Sequence, residues 1–508
     1  MGALDHIKVI DFGHYIAGPL AGMLLADQGA DVIKIDPPGG PRWDSPANAT
    51  WNRGKRSITL DLKTSADLQT AKSLITTADV VVENFRPGVM EKLGLGNKQA
   101  LIDNPRLVYC SIPGFANDDD RSGIQAYEGI LGASAGTYRP MASSGGKPVY
   151  TAIPIASTYG AFQSVVAITM ALNARERDGV GQYIEMPLFD SMFQSIGHHG
   201  LRVHNAPPAG PTLGDLWGGI YRCKDGEWVR FGGPGNQNFR PFVELAGITS
   251  WDSEGLTDFS VPLDDPGFTA MVTDRINELF MTRTAQEWEN LIAEAGSEGS
   301  VCRTSAEWFE HPHARESDMV VEVEDQVLGK MLQPGINARM SLTPGKVRGP
   351  APTPDQHRVE ILAELKTVSS PVKVTSIEDT LRNALEGIKV LDLCIILAGP
   401  TMGRTLGEYG ADVIKIDNPK RGSFVARHND INRGKRSILL DLKSEEGRDI
   451  FWKMLEEADV VAQNYRAGAV QKLGLSYEEV SKRKPDIIYA SLNAYGHVGP
   501  WAGRPGHE

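Results

Sequence analysis

The octapeptide GADVIKID occupies residues 29–36 and recurs letter for letter at residues 410–417. Three further blocks recur in the same order: NRGKRSI at 52–58 and 432–438, LDLK at 60–63 and 440–443, and KLGL at 92–95 and 472–475. The offset is 381 residues for the octapeptide and 380 for the later blocks, which one deletion explains. Such a period is far longer than the ~20–50 residues of solenoid repeats. We interpret it as a tandem duplication of a domain-sized segment.

Composition excludes several classes of protein. The chain has 508 residues, of which 41% are hydrophobic and 23% charged, as in ordinary globular proteins. A net charge of −12 argues against a nucleic-acid partner, and the four scattered cysteines favour reduced thiols over disulfides or zinc ligation. The N-terminus has no signal-peptide pattern, and no uninterrupted apolar run approaches the ~18 residues that span a bilayer. These features predict a cytoplasmic protein that neither binds nor crosses a membrane.

Short apolar segments rich in β-branched residues alternate with helix-like segments in each copy. The predicted strands of the first copy are IKVIDF (7–12), ADVIKID (30–36), RSITLDL (56–62), DVVVENF (79–85) and RLVYCSI (106–112). Helix-like segments at 17–29 and 65–78 separate them, and the same order returns after residue 387. This alternation predicts an α/β fold with a mostly parallel, Rossmann-like sheet covered on both faces.

The residues between the copies have a different sequence pattern. EWVRFGG (227–233) and TAQEWENLIAEAG (284–296) indicate separate strands and helices, hence a smaller inserted α+β domain. The proline- and glycine-rich run at 332–357 predicts an extended crossing segment. The predicted organisation is a first large domain at 1–210, a small domain at 211–325, a return segment at 326–365, a linker at 366–386, and an incomplete second large domain at 387–508.

A strand, a glycine-bearing turn and a helix also suggest a dinucleotide site. The turn DFGHYIAGPLAG has glycines at 13, 18 and 22 but no GxGxxG, and the second copy, DLCIILAGPTMG, lacks the first of them. Because that fingerprint is the specific part of the signal, nicotinamide binding is disfavoured. The nucleophile elbow GxSxG is absent as well, which disfavours a hydrolase.

The repeated blocks resemble the family III CoA-transferases, the group of formyl-CoA and carnitine CoA-transferases. The resemblance rests on IDFGHYIAGPLAGMLLADQGADVIKID, NRGKRSITLDLK, ADVVVENFRPGVMEKLGLG and the dipeptide YE at 127–128. It covers residues 5–365 once and restarts at 387. It implies transfer of CoA from an acyl-CoA to a carboxylic acid, with coenzyme A as substrate and with no metal or permanently bound cofactor. It also implies interlocked pairing, either of the two copies or in a homo-oligomer.

By resemblance, a set of residues in each copy contacts CoA. These are His14, Ala17, Lys63, Asn84, Phe85 and Lys92 in the first copy, and Ala398, Lys443, Asn464, Tyr465 and Lys472 in the second. Cations suit the phosphates of CoA, and an aromatic or apolar face suits its adenine. Each residue also has an ordinary structural explanation: Ala17 and Phe85 as core, the lysines as solvated charges. The basic block Arg53, Lys55 and Arg56 would equally suit a role in closing the sheet. An arginine common in the family is replaced by Pro37 and Asn418.

The family nucleophile is an aspartate four residues before a glycine, and this chain has no acid there. In IPIASTYGAF the position is Ala156, or Ser157 when counted from the proline side. Glu128 and Asp190 remain as weak candidates. The first copy is therefore predicted to be catalytically silent. The counterpart of position 156 would be about residue 536, so we also expect that this is an N-terminal fragment, inactive alone and prone to associate through residues 387–508.

Several functions stay open on the residues alone. The leading one is a two-copy CoA-transferase acting through an aspartyl intermediate. The alternatives are a catalytically silent CoA-binding or dimerisation protein, a CoA-transferase/lyase acting on dimethylsulfoniopropionate, and an enzyme like the α-methylacyl-CoA racemases.

Overall fold

The computed structural model describes residues 1–43, 45–138, 147–200, 204, 210–232, 239–367, 382–420, 429–466, 468–504 and 506. The chain divides into two compact units. The first comprises Met1–Arg202, Met319–Ile388 and Thr405–Asp412, and the second comprises Val203–Asp318, Lys389–Arg404 and Val413–Glu508.

The described residues form sixteen strands and twenty α-helices. The strands are β1 (Lys8–Asp11), β2 (Asp31–Asp36), β3 (Arg56–Thr59), β4 (Val80–Glu83), β5 (Val108–Ser111), β6 (Tyr183–Glu185), β7 (Ile220–Arg222), β8 (Trp228–Phe231), β9 (Gly299–Val301), β10 (Val320–Asp325), β11 (Gly329–Pro334), β12 (Lys389–Asp392), β13 (Asp412–Asp417), β14 (Arg436–Leu439), β15 (Val460–Gln463) and β16 (Ile488–Ser491). The helices are α1 (Ala17–Asp27), α2 (Pro46–Trp51), α3 (Ser65–Thr76), α4 (Val89–Lys92), α5 (Asn97–Asp103), α6 (Glu128–Ala135), α7 (Ile155–Asp178), α8 (Leu188–Ser195), α9 (Leu213–Trp217), α10 (Phe239–Ala246), α11 (Pro266–Phe280), α12 (Ala285–Glu294), α13 (Ser305–Glu310), α14 (Pro312–Glu316), α15 (Arg358–Leu365), α16 (Ala398–Glu408), α17 (Asn429–Asn432), α18 (Glu445–Leu455), α19 (Ala469–Lys472) and α20 (Tyr477–Arg483).

The first unit is built on a six-stranded parallel sheet in the order β3-β2-β1-β4-β5-β6. Successive residues of a strand point to opposite faces, so both faces of these apolar strands are buried. Val9 and Val80 lie in one apolar cluster with residues of α1 and α7. Ile10 and Val81 lie in a second cluster with residues of α3, α5 and α15. The predicted α/β class with a mostly parallel sheet is confirmed.

Helix α7 is the one described helix with the length and hydropathy of a membrane span. Ala156, Ala161, Ile168 and Leu172 on this helix belong to the same apolar cluster as Val9 and α1. Core helices of globular domains often have this length and hydropathy. The packing of α7 is that of a core helix.

The return segment closes the edge of the first sheet at β3. Arg56 forms ion pairs with Glu364 (2.6 Å) and Glu360 (3.2 Å) of α15. The Ser57 amide donates to Nδ1 of His357 (3.1 Å). The predicted boundary at 325/326 falls at the turn of the hairpin β10–β11, which runs from Val320 to Pro334. Because an open edge strand is a template for pairing with other chains, this closure protects the sheet.

The second unit contains a small α+β body and a second parallel sheet. In the small body, β7, β8 and β9 form an antiparallel sheet. The sheet packs with α9–α12 around the fully buried Trp217 and Trp288. Residues 211–318 thus have a core of their own, while the finer domain boundaries stay a prediction.

The second parallel sheet has the order β14-β13-β12-β15-β16, which matches the first five strands of the first sheet. Its outermost strands carry exposed apolar side chains, with Leu439 on β14 63% and Ile488 on β16 64% exposed. Association through residues 387–508 stays a prediction. Most of the predicted linker, residues 368–381, lies outside the described residues.

Candidate functional site

The candidate site lies at the carboxyl ends of β1 and β4. Helix α1 follows β1 on one face of the sheet, whereas α5, which follows β4, packs on the other. The two connections therefore diverge between adjacent strands, which opens a crevice where α/β proteins bind ligands. His14 and Ala17 follow β1, and Asn84 and Phe85 follow β4, so the sequence-predicted residues meet at this point.

Asn84 holds the two loops together. Its Oδ1 accepts from the His14 amide (2.7 Å), and its Nδ2 donates to the His14 carbonyl (2.8 Å). In the second sheet, Asn464 makes the same pair of bonds to Ile395, both at 2.7 Å. The side-chain amides are thus committed to the protein backbone. They shape the loop in both copies, and their contact with CoA stays a prediction.

The next residue along the β1–α1 loop has a strained backbone in both copies. Tyr15 has φ of 61° and its counterpart Ile396 has φ of 71°, in the left-handed region that side chains other than glycine rarely adopt. Such strain persists where the surroundings over-determine the conformation, often at binding sites. Helix α1 begins two residues later at the buried Ala17, whereas Ala398, the first residue of α16, is exposed.

The glycines of the β1–α1 turn serve close packing. A Cβ on Gly13 would lie 2.6 Å from the Cα of Gly18, and a Cβ on Gly22 would lie 2.8 Å from Oδ2 of Asp11. The second copy keeps the latter glycine as Gly403, whose Cβ would lie 2.6 Å from a carboxylate oxygen of Asp392. These contacts explain the glycines without a dinucleotide.

A buried ion pair lies beneath each of these turns. Lys55 Nζ is 2.8 Å from Asp11 Oδ2, and both side chains are inaccessible to solvent. Lys435 and Asp392 form the same pair at 2.7 Å. Lys55 and Lys34 keep the pKa of Asp11 below its usual range despite complete burial. Asp11 also accepts from the Gly13 amide (2.7 Å), so the pair fixes the start of the loop.

The other cations of the NRGKRS block are structural as well. Arg53 is 1% exposed and donates to both carboxylate oxygens of Asp27, at 2.7 and 3.3 Å. Arg56 pairs with Asp31 (2.5 Å) and with α15. Of the two explanations that the sequence leaves for this block, the geometry supports closure of the sheet.

His14 is uncharged in this environment. Burial, followed by the positive charges of Lys34 and Arg42, lowers the pKa of His14 to about 3. Its ring meets the Phe85 ring edge-to-face, with 5.1 Å between centroids. The pair therefore presents a neutral, largely apolar wall to the crevice.

The predicted phosphate-binding lysines are exposed. Lys63 follows β3 and Lys92 ends α4, so both lie on the carboxyl side of the sheet. Lys443 and Lys472 are exposed in the same way in the second sheet. None of the four forms an ion pair with another described residue, so their charges are available to an anion.

The carboxylate of Glu128 occupies the N-terminus of α7. Its Oε1 accepts from the Ala156 amide (2.5 Å), and its Oε2 accepts from the Ser157 amide (3.2 Å) and hydroxyl (2.8 Å). Helix N-termini have unpaired amides and a positive end of the dipole, both of which favour an anion. The weak candidate Glu128 thus lies at both residues, Ala156 and Ser157, that could match the family's nucleophile position.

The glycine of the nucleophile pattern has a packing role. A Cβ on Gly160 would lie 2.6 Å from Cδ2 of Leu188, so glycine lets α7 approach α8 closely. Asp190 on α8 is exposed, and no hydrogen bond within the described ranges joins it to Ser157 or Glu128. Glu508, which the 380-residue offset makes the counterpart of Glu128, lies outside the described residues. Between residues 1 and 506, the described side chains form no cluster that could hold a metal ion.

The sequence-based selection missed Glu83, which is buried at the end of β4. Its Oε2 accepts from the Phe85 amide (2.8 Å), and its counterpart in the second sheet is Gln463. The only signal was the comparison of ENF with QNY in otherwise similar blocks.

Comparison with known proteins bears on the family and the fold of the chain. The sequence profile described as CoA-transferase family III matches residues 4–358 and 385–508. The CoA-transferase/lyase DddD of Marinomonas sp. (strain MWYL1) is 30% identical, and the match covers 98% of this chain and 66% of that relative, so the chain spans about two thirds of its length. The succinyl-CoA:mesaconate CoA-transferase of Haloarcula hispanica is 30% identical over 72% of this chain and 96% of its own. The crystal structure of Rv3272 from M. tuberculosis superposes with a TM-score of 0.62 at 27% identity, over 71% of this chain and 99% of its own.

Proposed function

The chain belongs to the family III CoA-transferases, and from this premise we propose that it serves CoA transfer between an acyl-CoA and a carboxylic acid through an aspartyl intermediate that its first unit does not form. In the proposed reaction, an aspartate oxygen attacks the thioester carbonyl and the C–S bond breaks, which releases CoA thiolate. The thiolate then attacks the aspartyl carbonyl, and the donor acid leaves as a carboxylate. The acceptor carboxylate next attacks the aspartyl-CoA thioester, which forms a second mixed anhydride and releases CoA thiolate again. The thiolate then attacks the acceptor's carbonyl carbon, which gives the new acyl-CoA and frees the aspartate carboxylate. Several easier displacements thus replace one difficult exchange.

One observation carries the proposal for the first unit. At the start of α7, where the family pattern has the aspartate, stands Ala156, and the helix N-terminus is occupied by Glu128. An alanine supplies no oxygen for the mixed anhydride. The silent first unit is therefore the state that this arrangement favours.

Glu128 is a poor replacement nucleophile. Both of its oxygens are engaged, by two amides and by the Ser157 hydroxyl. Charge-assisted hydrogen bonds of this kind stabilise the carboxylate and lower its reactivity. We propose that Glu128 satisfies the unpaired amides of α7 in the absence of an acid at position 156.

The crevice between β1 and β4 is the proposed CoA site. The neutral wall of His14 and Phe85 suits the adenine or the pantetheine arm, and the exposed Lys63 and Lys92 suit the phosphates. Coenzyme A is then a substrate, with no permanently bound cofactor. A duplicated architecture, with the two copies paired as in an interlocked dimer or with further copies in a homo-oligomer, and a cytoplasmic location complete the proposal.

Chemical trapping tests the silent first unit. The 508-residue chain would be incubated with succinyl-CoA and then with hydroxylamine, which converts mixed anhydrides and CoA thioesters of acidic side chains into hydroxamates that peptide mapping locates. We expect no adduct on Glu128 or Asp190 in the wild type. Ala156→Asp supplies the missing carboxylate and is the matched gain-of-function variant. An adduct on Glu128 or Asp190 of the wild type would overturn the proposal.

A transferase with an additional lyase step is the second candidate. It is favoured by the relative named CoA-transferase/lyase DddD, which matches 98% of the chain. The same trapping experiment, repeated with a CoA thioester that bears a leaving group at the β-carbon, separates the two. Release of an unsaturated acyl product would favour the lyase.

A further inference from the structure

Glu83 and Gln463 occupy the same place in the two sheets and form comparable hydrogen bonds. Glu83 ends β4 and is 5% exposed, and Gln463 ends β15 and is 3% exposed. Oε2 of Glu83 accepts from the Phe85 amide at 2.8 Å, and Oε1 of Gln463 accepts from the Tyr465 amide at 2.8 Å. In each case the bond bends the chain back just before the aromatic residue of the candidate site.

In the second sheet, the side-chain nitrogen of Gln463 shows which partner the second polar atom at this place has. Because a backbone amide donates, the Gln463 oxygen faces Tyr465, and its nitrogen donates to the hydroxyl oxygen of Ser491 at 2.6 Å. The place therefore accommodates a side chain that accepts on one side and donates on the other. A neutral carboxylic acid has this pattern, whereas a carboxylate only accepts.

The surroundings of Glu83 contain further acids. The titratable groups that act on it are Glu91 from α4, Tyr109 and Cys110 from β5, and Tyr183 and Glu185 from β6. Burial raises the pKa of Glu83 to about 7, and Glu91 and Glu185 act in the same direction against the hydrogen bonds from Ser111 and Phe85. Ionisation would place an additional negative charge beneath the loop that carries Asn84.

We propose that Glu83 is a neutral positioning residue, a buried acid that accepts from the Phe85 amide, shares a hydrogen bond with the Ser111 hydroxyl and so holds the Asn84–Phe85 turn, and that its ionisation loosens the CoA site of the first unit. Gln463 does the same in the second unit without a titratable group. Glu83 touches no ligand and acts through the turn. The coupling to CoA rests on the proposed function, whereas the protonation state of Glu83 does not.

The pH dependence has a defined sign. The pKa of Glu83 is about 7 in the folded chain against an ordinary value of 4.5, so folding takes up a proton between these values. The free energy of unfolding then falls as pH rises through this window. CoA is an anion, so ionisation of Glu83 also weakens its binding at higher pH.

The test compares the full chain with Glu83→Gln, which installs the residue that the second sheet already has. Thermal unfolding without ligand, and calorimetry with coenzyme A alone, would be measured from pH 5.5 to 8.5. We expect the wild type to lose stability with rising pH relative to Glu83→Gln, and to bind CoA about three- to tenfold more weakly at pH 8.5, which corresponds to a pKa change of half to one unit on binding. CoA titrates in the same way in both measurements, so the difference in affinity between the wild type and Glu83→Gln does not contain its contribution. Glu176→Gln removes an exposed carboxylate from α7 and should behave as the wild type.

Each outcome decides a separate part. Equal pH profiles of unfolding in the wild type and Glu83→Gln would overturn the neutral acid. Different unfolding profiles with equal CoA profiles would overturn the coupling to the site. If neither chain binds CoA, the proposed function of the crevice fails, while the unfolding comparison still decides the state of Glu83.

Discussion

The side chain of Asn84 forms two hydrogen bonds with the backbone of His14, through an N–H that donates and an oxygen that accepts. Removal of both bonds by Asn84→Ala leaves two partly buried backbone groups without partners, at about 1–3 kcal/mol each. We expect faster hydrogen exchange in a peptide covering residues 12–17, with residues 393–398 unchanged. Asn464→Ala is the matched control and should show the reverse. Unchanged exchange at residues 12–17 would contradict this role of the Asn84 side chain.

Lys55→Met should destabilise the first unit by about 3–5 kcal/mol, because it leaves the Asp11 charge buried and uncompensated. The double variant Asp11→Asn/Lys55→Met removes both charges and retains an acceptor for the Gly13 amide, so it should recover most of the loss. Since the chain has two units, urea unfolding would be combined with hydrogen exchange to locate the effect. Lys435→Met provides the same change in the second sheet. A double variant no better than Lys55→Met would show that the pair contributes more than charge neutralisation.

Gly160→Ala should cost about 1–3 kcal/mol, because the added methyl group would overlap Cδ2 of Leu188. Leu188→Ala removes the opposing atoms and creates a cavity of its own. The two changes in one chain should therefore cost less than the sum of the single variants, as a double-mutant cycle of unfolding free energies would measure. Strict additivity would mean that α7 and α8 separate without strain.

Lys63→Ala and Lys92→Ala should each weaken CoA binding by roughly tenfold, the scale of one charge-assisted contact to phosphate. The exposed side chains form no described ion pair, so the free energy of unfolding should barely change. Calorimetry at two salt concentrations would measure the affinity and its salt dependence. Lys98→Ala, an exposed lysine on α5, is the control. A double variant with unchanged affinity would remove these lysines from the site.

The strands and helices of the sheets could be predicted because each short apolar segment has one buried environment. Predicted strands such as DVVVENF overran their observed bounds by one to three residues, since β4 ends at Glu83 and the next two residues form the turn of the site. In these additional residues, backbone groups form hydrogen bonds with side chains instead of with a neighbouring strand. Local apolar pattern carries no information about that transition.

The roles of individual polar residues were less accessible from sequence. The block NRGKRS contains three cations, but only the fold reveals that two of them form buried ion pairs, Arg53 with Asp27 and Lys55 with Asp11. Asn84 is selected as a CoA contact from the family resemblance, and the sequence does not show that its side chain bonds the backbone of His14, 70 positions away. Glu128 and Ser157 meet across 29 positions that no local pattern connects. Long-range pairing of this kind is a property of topology.

The closure of β3 by the return segment sets an order of events during synthesis. Its contacts to Arg56, Ser57 and Thr59 span 296 to 308 positions, so they form only after the small body has been made. Once β6 ends at Glu185, about 170–180 residues remain before Asp355 and Glu364, and translation at about 5–20 residues per second needs roughly 9–36 s to supply them. Throughout that interval the edge of a nearly complete sheet is open to other nascent chains. The length of chain between β6 and α15 thus fixes how long a chaperone has to shield the first unit.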